Sequence, residues 1–484
     1  MARQRNAIRF RPRQARPRLA DTRVGSWGAS VLYSGALGRF RREDLYSKVG
    51  DQLDGVASLP DDWPIDFDEL RGYYRSAEAR MRVVGERDPL DEDDDSEPAA
   101  PPPLSNRDAA IVGDLKCAGM HPYRLRVGID YMPGCEECQD RRCPRLCKAD
   151  GYSRALLPAL ETGRIRLDLG VVVSEILPAG DLWAVTGRGE DGTMREHRGR
   201  SVIVAAGALN TPLLLNRSDQ LWRDVARPAV LGRGLLFHFS DIILVSLRRK
   251  SPPEDAAGPS KTIAFRDLYG SSDGVGEVQS YGPGLTARLI MNGLRTLLYD
   301  AGLEQFNRIV ALAFPLAALA ARVWKSGVVF ATISPDRPFA ENRVWEEVGP
   351  EDTSAEATGR ARIAFTYSVP RQLRARSRGR RRLLTAAFAP NRVRFLLPAG
   401  TPNLGHPMGT CRMGSDPAHS VVDPRGQVWE HPGLYVGDAS VFPSSAGVGP
   451  SLTVAALGLR LGDHLASVLE RHDGGNATLA GRED

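Results

Sequence analysis

Near its carboxyl end the chain contains His406-Pro407-Met408-Gly409-Thr410-Cys411-Arg412-Met413-Gly414, then Leu434-Tyr435-Val436-Gly437-Asp438-Ala439-Ser440, then Gly449-Pro450-Ser451-Leu452-Thr453. Leu434 to Val436 predict a strand whose carboxyl end carries Gly437 and Asp438, the position at which α/β sheets bind ligands. Pro450 predicts the start of the last helix, whose amino terminus would stabilise negative charge on a ligand. His406 lies among small residues, which let a planar ligand come close.

A second strand–turn–helix unit precedes this region. Ser201 to Gly207 form a short apolar run that ends in glycine, and a helix is predicted from Leu213, after Thr211-Pro212. Such units occur in nucleotide-binding α/β sheets. Further upstream, Asp66 and Glu69 form a capping-box pattern that predicts the start of a helix.

The three carboxyl-terminal strings resemble, in order and spacing, those of the glucose-methanol-choline (GMC) oxidoreductases. The resemblance extends to nearly the whole chain after residue 20. It includes Val24-Gly25-Ser26-Trp27-Gly28-Ala29-Ser30, Trp63-Pro64-Ile65, Tyr73-Tyr74, Ala205-Ala206-Gly207-Ala208-Leu209-Asn210-Thr211-Pro212, Leu231-Gly232-Arg233 and His238. It implies an α/β fold with a Rossmann-like FAD domain, built from noncontiguous segments, and a substrate domain with an antiparallel sheet and helices.

The resemblance also implies an activity, a cofactor and a site. The enzyme would oxidise a primary or secondary alcohol, such as a sugar or polyol, with hydride passing to flavin N5. His406 would take the hydroxyl proton or stabilise the alkoxide. The residues implied to contact FAD are Gly25, Gly28, Ser30, Ala206, Gly207, Ala208, Gly437, Asp438, Ala439, Pro450, Ser451 and Leu452.

The sequence departs from the family pattern at two places. The family begins with a strand and a G-x-G-x-x-G loop for the pyrophosphate, followed by an acidic residue for the ribose, whereas this chain begins about where that unit ends. A short reading frame, a second chain and a decayed gene all remain open as explanations. Gly449 occupies the position of the family's second catalytic residue, an asparagine or histidine. The alternative function is a catalytically impaired or non-catalytic partner subunit that does not bind FAD by itself.

Four cysteines, Cys135, Cys138, Cys143 and Cys147, crowd into thirteen residues. Clustered thiolates suit zinc or an iron–sulfur cluster, and disulfides are the alternative. The segment resembles the cysteine-rich stretch of membrane-linked GMC sugar and gluconate dehydrogenases. That resemblance implies an iron–sulfur cluster on Cys138, Cys143 and Cys147, leaves the role of Cys135 undecided, and suggests electron transfer to a partner protein.

The bulk properties limit the remaining function classes. The 484 residues are 42% hydrophobic and 25% charged with a net charge of +5, which suits a globular protein of two or three domains rather than a nucleic-acid-binding one. The longest apolar run, Ile309 to Ala321, contains Pro315 and is too short to span a bilayer. It predicts a buried helix or, as the alternative, a membrane-surface patch. The Arg-rich start is not a secretory signal, so we expect a cytoplasmic protein without a transmembrane segment.

The domain boundaries follow from these motifs and from composition. The Arg374 to Arg382 run predicts a solvated helix face, and the acidic and proline-rich stretch after Gly85 predicts a solvated linker. The predicted divisions are a disordered Arg-rich start (1–20), an FAD-domain segment (21–85), an acidic/Pro-rich linker (86–104), a Cys-rich segment with a second FAD-domain segment (105–230), a substrate domain (231–395), a carboxyl-terminal FAD-domain and catalytic segment (396–470) and a tail (471–484).

Overall fold

The structure, a computed structural model, describes residues 29–46, 58–248, 259–283, 306–346 and 363–480, with short gaps at 136, 139–140, 260, 271–273 and 324–326 and with scattered positions between 287 and 298. The predicted FAD contacts Gly25 and Gly28 and the predicted disordered start lie outside these residues.

Eight α-helices lie within the residues that the structure describes. They are α1 (Phe67–Met81), α2 (Asn106–Cys117), α3 (Leu157–Glu161), α4 (Gly207–Arg217), α5 (Asn307–Val310), α6 (Phe314–Val323), α7 (Arg371–Ala387) and α8 (Ser451–Ala480). Asp66 caps α1 by accepting hydrogen bonds from the backbone N–H groups of Asp68 and Glu69, which confirms the predicted helix start. Helix α8 packs along α1, where the Tyr74 hydroxyl lies 2.8 Å from Thr453 Oγ1.

Most strands belong to antiparallel sheets. They are β1 (Tyr123–Arg124), β2 (Val171–Ala179), β3 (Leu182–Gly189), β4 (Met194–Gly199), β5 (Val202–Val204), β6 (Leu236–Phe239), β7 (Ile242–Ser246), β8 (Ile263–Phe265), β9 (Glu277–Pro283), β10 (Gly327–Ile333), β11 (Arg343–Glu346), β12 (Ile363–Thr366), β13 (Arg392–Phe395), β14 (Pro402–Met408) and β15 (Leu434–Val436). A six-stranded sheet has the order β1-β8-β9-β10-β7-β13. Phe388, just after α7, packs against Phe265 and Phe330 of this sheet. The antiparallel sheet with helices agrees with the predicted substrate domain.

The parallel pair β5–β15 forms the nucleotide-binding type of unit. Val202 pairs with Leu434 and Val204 with Val436, although more than 230 residues separate them in the sequence. Helix α4 follows β5 directly and begins at Gly207, so the sequence-based start at Leu213 is wrong. Pro212 lies inside the helix and cannot donate to the carbonyl of Ala208. That carbonyl instead accepts a 2.6 Å hydrogen bond from Thr410 Oγ1, which explains how the helix tolerates the proline.

The acidic stretch after Gly85 and the Arg374 to Arg382 run are more buried than their composition predicts. Asp94 is 6% exposed and its carboxylate binds Arg126 at 2.5 Å, while Asp88, 2% exposed, binds Arg41 at 2.7 Å. A buried guanidinium needs a carboxylate partner, so the acidic stretch is not a solvated linker. In the Arg374 to Arg382 run, Arg380 is 3% exposed and Arg381 binds Asp241 at 2.7 Å, so this helix face is only partly solvated.

Two apolar helices bear on membrane contact. One described helix, over Ser451–Arg471, is long and apolar enough to cross a membrane by length and composition. Its first turns, with Leu452 and Ala456, pack in the main hydrophobic core, and 22% of its apolar window is buried. The Ile309 to Ala321 run is shorter, and the prediction that it is buried is wrong. Ile309, Leu312 and Leu316 are 59%, 78% and 70% exposed.

Candidate active site

His406 lies in an irregular part of strand β14. This strand pairs with β6 through Asn403 and His238, and its register shifts before Met408. The irregularity turns the His406 ring onto His238 of the neighbouring strand. The two Nδ1 atoms are 2.9 Å apart, and the ring planes are perpendicular. The other nitrogen of His238, Nε2, lies 2.9 Å from the carbonyl oxygen of Ser445.

These contacts determine which nitrogen of each ring carries a proton. A carbonyl oxygen only accepts hydrogen bonds, so Nε2 of His238 must donate to Ser445. His238 is fully buried and therefore neutral, with a single N–H, so its Nδ1 is an acceptor. Nδ1 of His406 must then donate to it. The lone pair of His406 Nε2 is left free to accept a proton from a substrate.

The electrostatics favour the same protonation state. Loss of water around the ring, followed by the positive charge of Lys261, lowers the pKa of His406 to about 4. Burial, followed by the charge of His406, lowers the pKa of His238 to about 3. Both rings are therefore neutral at pH 7, which is the state a general base requires before it acts.

The predicted FAD contacts Gly207 and Asp438 are brought together at the carboxyl ends of β5 and β15. One oxygen of Asp438 accepts from Gly207 N at 2.9 Å and from Thr211 Oγ1 at 2.5 Å. Its other oxygen accepts from Ser440 N at 2.8 Å. The carboxylate thus joins the two strand ends. In the sequence, Thr211 stands out only as part of a motif and His238 only as part of another, and neither motif predicts that Thr211 binds Asp438 or that His238 contacts His406.

The surface around this turn suits a planar ligand. Ala205 and Ala206 are exposed, and a side chain added at Gly207 would meet no atom within 4 Å. Ser30 is also exposed, and Gly437, Ala439 and Ser451 are partly exposed. The side chains of the other predicted contacts, Ala208, Pro450 and Leu452, are buried. The first turn of α8 carries no acidic residue. Small residues, open space and a helix amino terminus fit the flavin and ribityl parts of FAD.

The glycine string that matches the phosphate-loop pattern does not form a binding loop for the pyrophosphate of FAD. The string Gly187-Arg188-Gly189-Glu190-Asp191-Gly192 matches the G-x-G-x-x-G pattern literally. It lies in the antiparallel hairpin between β3 and β4, where Gly192 N donates to Gly189 O. A phosphate loop must connect a strand to the amino terminus of a helix, and this hairpin does not. The match is therefore a turn and not a phosphate site.

Gly449 leaves space where the family pattern has a side chain. It is partly exposed, and an added Cβ would meet no atom within 4 Å. It lies four residues after Ser445, which holds His238. The position thus offers room beside this loop but no side-chain hydrogen bond.

The cysteine cluster is compact and contains no disulfide. Cys143 Sγ is 3.2 Å and Cys135 Sγ is 3.9 Å from Cys147 Sγ, and Cys138 packs with them. Burial raises the pKa of the Cys143 thiol, but the backbone N–H of Lys148 and other donors outweigh it and lower the pKa to about 7. In the part of the chain that the structure describes, no group of three or more His, Cys, Asp or Glu residues is arranged as a metal site. The predicted cluster on Cys138, Cys143 and Cys147 therefore stays a prediction.

Comparisons with known proteins agree with the resemblance that the sequence motifs indicate. The family described as GMC oxidoreductase matches residues 353–458. The chain is 27% identical to 6'''-hydroxyparomomycin C oxidase of Streptomyces lividus, over 91% of this chain and 78% of that protein. It is 26% identical to paromamine 6'-oxidase of Streptomyces fradiae, over 92% and 79%.

The same fold occurs in a solved structure, that of pyridoxine 4-oxidase from Mesorbium loti. It covers 95% of this chain and 88% of its own at a TM-score of 0.53, with 18% identity. The motifs, the fold and the relatives all point to one family and to oxidation of hydroxyl groups. Residues 353–458 thus match the GMC oxidoreductases, an FAD-dependent family of enzymes that act on CH–OH groups, and the two Streptomyces relatives, which align over most of the chain, are oxidases.

Proposed function

We propose that the chain oxidises a hydroxyl group of a sugar or polyol and that His406 Nε2 takes the hydroxyl proton. The observation that carries the proposal is the contact between His238 and His406, which leaves that nitrogen as a free base. The relatives named for oxidation of paromamine and of 6'''-hydroxyparomomycin C support the substrate class.

Each part of the site has a separate role in the proposed reaction. FAD, when bound, supplies the acceptor for the hydride that leaves the carbinol carbon. The turn at Gly207 and Asp438, with the start of α8, would hold the flavin end of the cofactor. His238 orients His406 and keeps its Nδ1 protonated. His406 Nε2 withdraws the proton as the carbonyl forms, so that proton and hydride leave the substrate to different acceptors.

The test is anaerobic reduction of protein reconstituted with FAD. A panel of sugars and polyols, with paromamine included, is mixed with the protein, and loss of the oxidised flavin absorbance is followed. We expect bleaching by at least one member of the panel. Simple primary alcohols serve as the comparison. Bleaching by these and by none of the panel would exclude the sugar or polyol assignment.

The His406→Ala variant tests the assignment of the base. Loss of a general base typically lowers the rate by about 100- to 10,000-fold. We expect that fall in flavin reduction with unchanged flavin content and a modestly lower unfolding temperature, because the variant also loses the hydrogen bond to the buried His238. Reduction within a few-fold of the parent would show that another group takes the proton.

We further propose that Cys138, Cys143 and Cys147 hold an iron–sulfur cluster that passes electrons from the flavin to a partner protein. The close packing of their three sulfur atoms supports it, since cluster iron is bound by neighbouring cysteine thiolates. This proposal is independent of the assignment of His406.

A further inference from the structure

The segment from Phe306 to Arg322 exposes an unusual number of large apolar side chains. It comprises α5, a 3₁₀ turn at Ala311–Ala313 and α6. The exposed fractions are 42% for Phe306, 59% for Ile309, 78% for Leu312, 54% for Phe314, 70% for Leu316 and 61% for Leu319. Exposed apolar clusters of this kind on a folded protein mark contact with another apolar surface.

Helix α6 buries a small side chain and exposes its large apolar side chains. Ala317 faces the protein and is 3% exposed, while the larger Phe314, Leu316 and Leu319 face outward. At about 100° per residue, the outward residues from Phe314 to Arg322 cover roughly half of the helix circumference. A seam for a single partner helix is narrower than this. The breadth of the apolar face fits a continuous apolar medium.

The charged residues inside the segment have one sign. From Phe306 to Arg322 the sequence contains Arg308 and Arg322 and no aspartate or glutamate, and the nearest flanking charges are Glu304 and Lys325. Arg322 is exposed at the carboxyl end of α6. An isologous contact with a second copy would bring these like charges near each other. An anionic lipid surface would instead attract each of them, and basic residues that flank an apolar helix face are typical of interfacial helices.

We propose that this segment binds the surface of an anionic lipid bilayer, with its leucine and phenylalanine side chains among the acyl chains and its basic residues among the headgroups. The apolar helix from Ala311 to Arg322 has twelve residues, about 18 Å of helix, which is too short to cross the hydrocarbon core. The segment therefore lies on the membrane and does not span it. This attachment is separate from the proposed oxidation.

The experiment is flotation of the full chain with vesicles of phosphatidylcholine, with or without about one-third phosphatidylglycerol. The test variant is Leu312→Glu/Leu316→Glu. Met194→Glu is the matched control, because Met194 is equally exposed at 64% but lies on the β2–β3–β4 sheet. Both variants change exposed residues, and their unfolding temperatures should equal that of the parent.

We expect the parent and Met194→Glu to float with the anionic vesicles. The double variant should bind them on the order of 100-fold more weakly, because it loses two leucine side chains from the lipid and brings two negative charges to an anionic surface. Arg322→Gln should weaken binding to the anionic vesicles only. No flotation of the parent, or equal loss in both glutamate variants, would overturn the proposal. A dimer that forms without lipid and dissociates in the double variant, with no flotation, would assign the surface to a second copy of the chain.

Discussion

At the scale of single residues, the proposed base, His406, contacts a second histidine, His238. The His238→Phe variant keeps a ring in the buried site but removes the acceptor for His406 Nδ1–H. We expect kcat to fall by roughly tenfold or more with little change in KM, because a lost hydrogen bond in a buried pair costs about 1.5 kcal/mol. The His238→Asn variant, whose amide oxygen can accept, should recover part of the rate. Equal loss in both variants would indicate a structural role only.

The same pair predicts a dependence on pH. The pKa values of His406 and His238 are lowered from 6.5 to about 4 and about 3. Turnover requires neutral His406, so it should be retained on acidification to about pH 5 and fall near pH 4. Below pH 6.5 the unfolded chain binds more protons at these sites than the folded chain, so their contribution to stability falls as the pH drops towards the folded values. Acid titration of kcat/KM and of thermal unfolding checks both statements.

The open space at Gly449 predicts the effect of restoring a polar side chain. Gly449→Asn places an amide where no atom lies within 4 Å, so the unfolding temperature should not change. If the amide reaches the substrate hydroxyl, a single added hydrogen bond raises kcat/KM for small alcohols by up to about tenfold. A fall for large substrates with a gain for small ones would show that the native glycine provides room for the substrate. A fall for both would contradict this role of the position.

At the scale of elements, Cys143 and Cys135 lie in one loop but should differ in how their substitution affects metal binding. Cys143 is buried and its thiol has a pKa of about 7, whereas Cys135 is partly exposed. The proposed cluster uses the thiolates of Cys138, Cys143 and Cys147, so Cys143→Ser should abolish iron and sulfide content while Cys135→Ser is tolerated. Iron and sulfide analysis of anaerobically prepared protein, with the visible spectrum, measures this. Zinc in place of iron, or freely titratable thiols without metal, would reject the cluster.

At the scale of the whole molecule, we expect the chain to bind the flavin end of FAD better than its phosphate end. The turn at Gly207 and Asp438 accommodates the flavin end, but the glycine string at Gly187 to Gly192 is a hairpin turn and supplies no phosphate loop. Charge-assisted hydrogen bonds to phosphate contribute about 1.5–3 kcal/mol each. A site without two or three of these bonds should bind FAD several orders of magnitude more weakly. Titration of this 484-residue chain with FAD, followed by flavin fluorescence, should therefore give weak binding. Tight stoichiometric binding would show that another segment of this chain holds the phosphates.

Local features were accessible from the amino-acid sequence. The cap at Asp66, the strand from Leu434 to Val436 and the motif around His406 depend on neighbouring residues, and the structure contains the cap and the strand as predicted. The start of α4 was missed, because Thr410 compensates for Pro212 from a distant part of the chain.

Pairing and burial depended on the tertiary structure. His238 meets His406 across 168 residues, and that contact selects the basic nitrogen. Asp94 in the acidic stretch is buried because it binds the buried Arg126, and the large apolar residues of α6 are exposed because the helix turns the small Ala317 towards the protein. Hydrogen bonds within a turn follow from the residues of that turn. The partner of a side chain, and whether water reaches it, follow only from which surfaces meet when the whole chain folds.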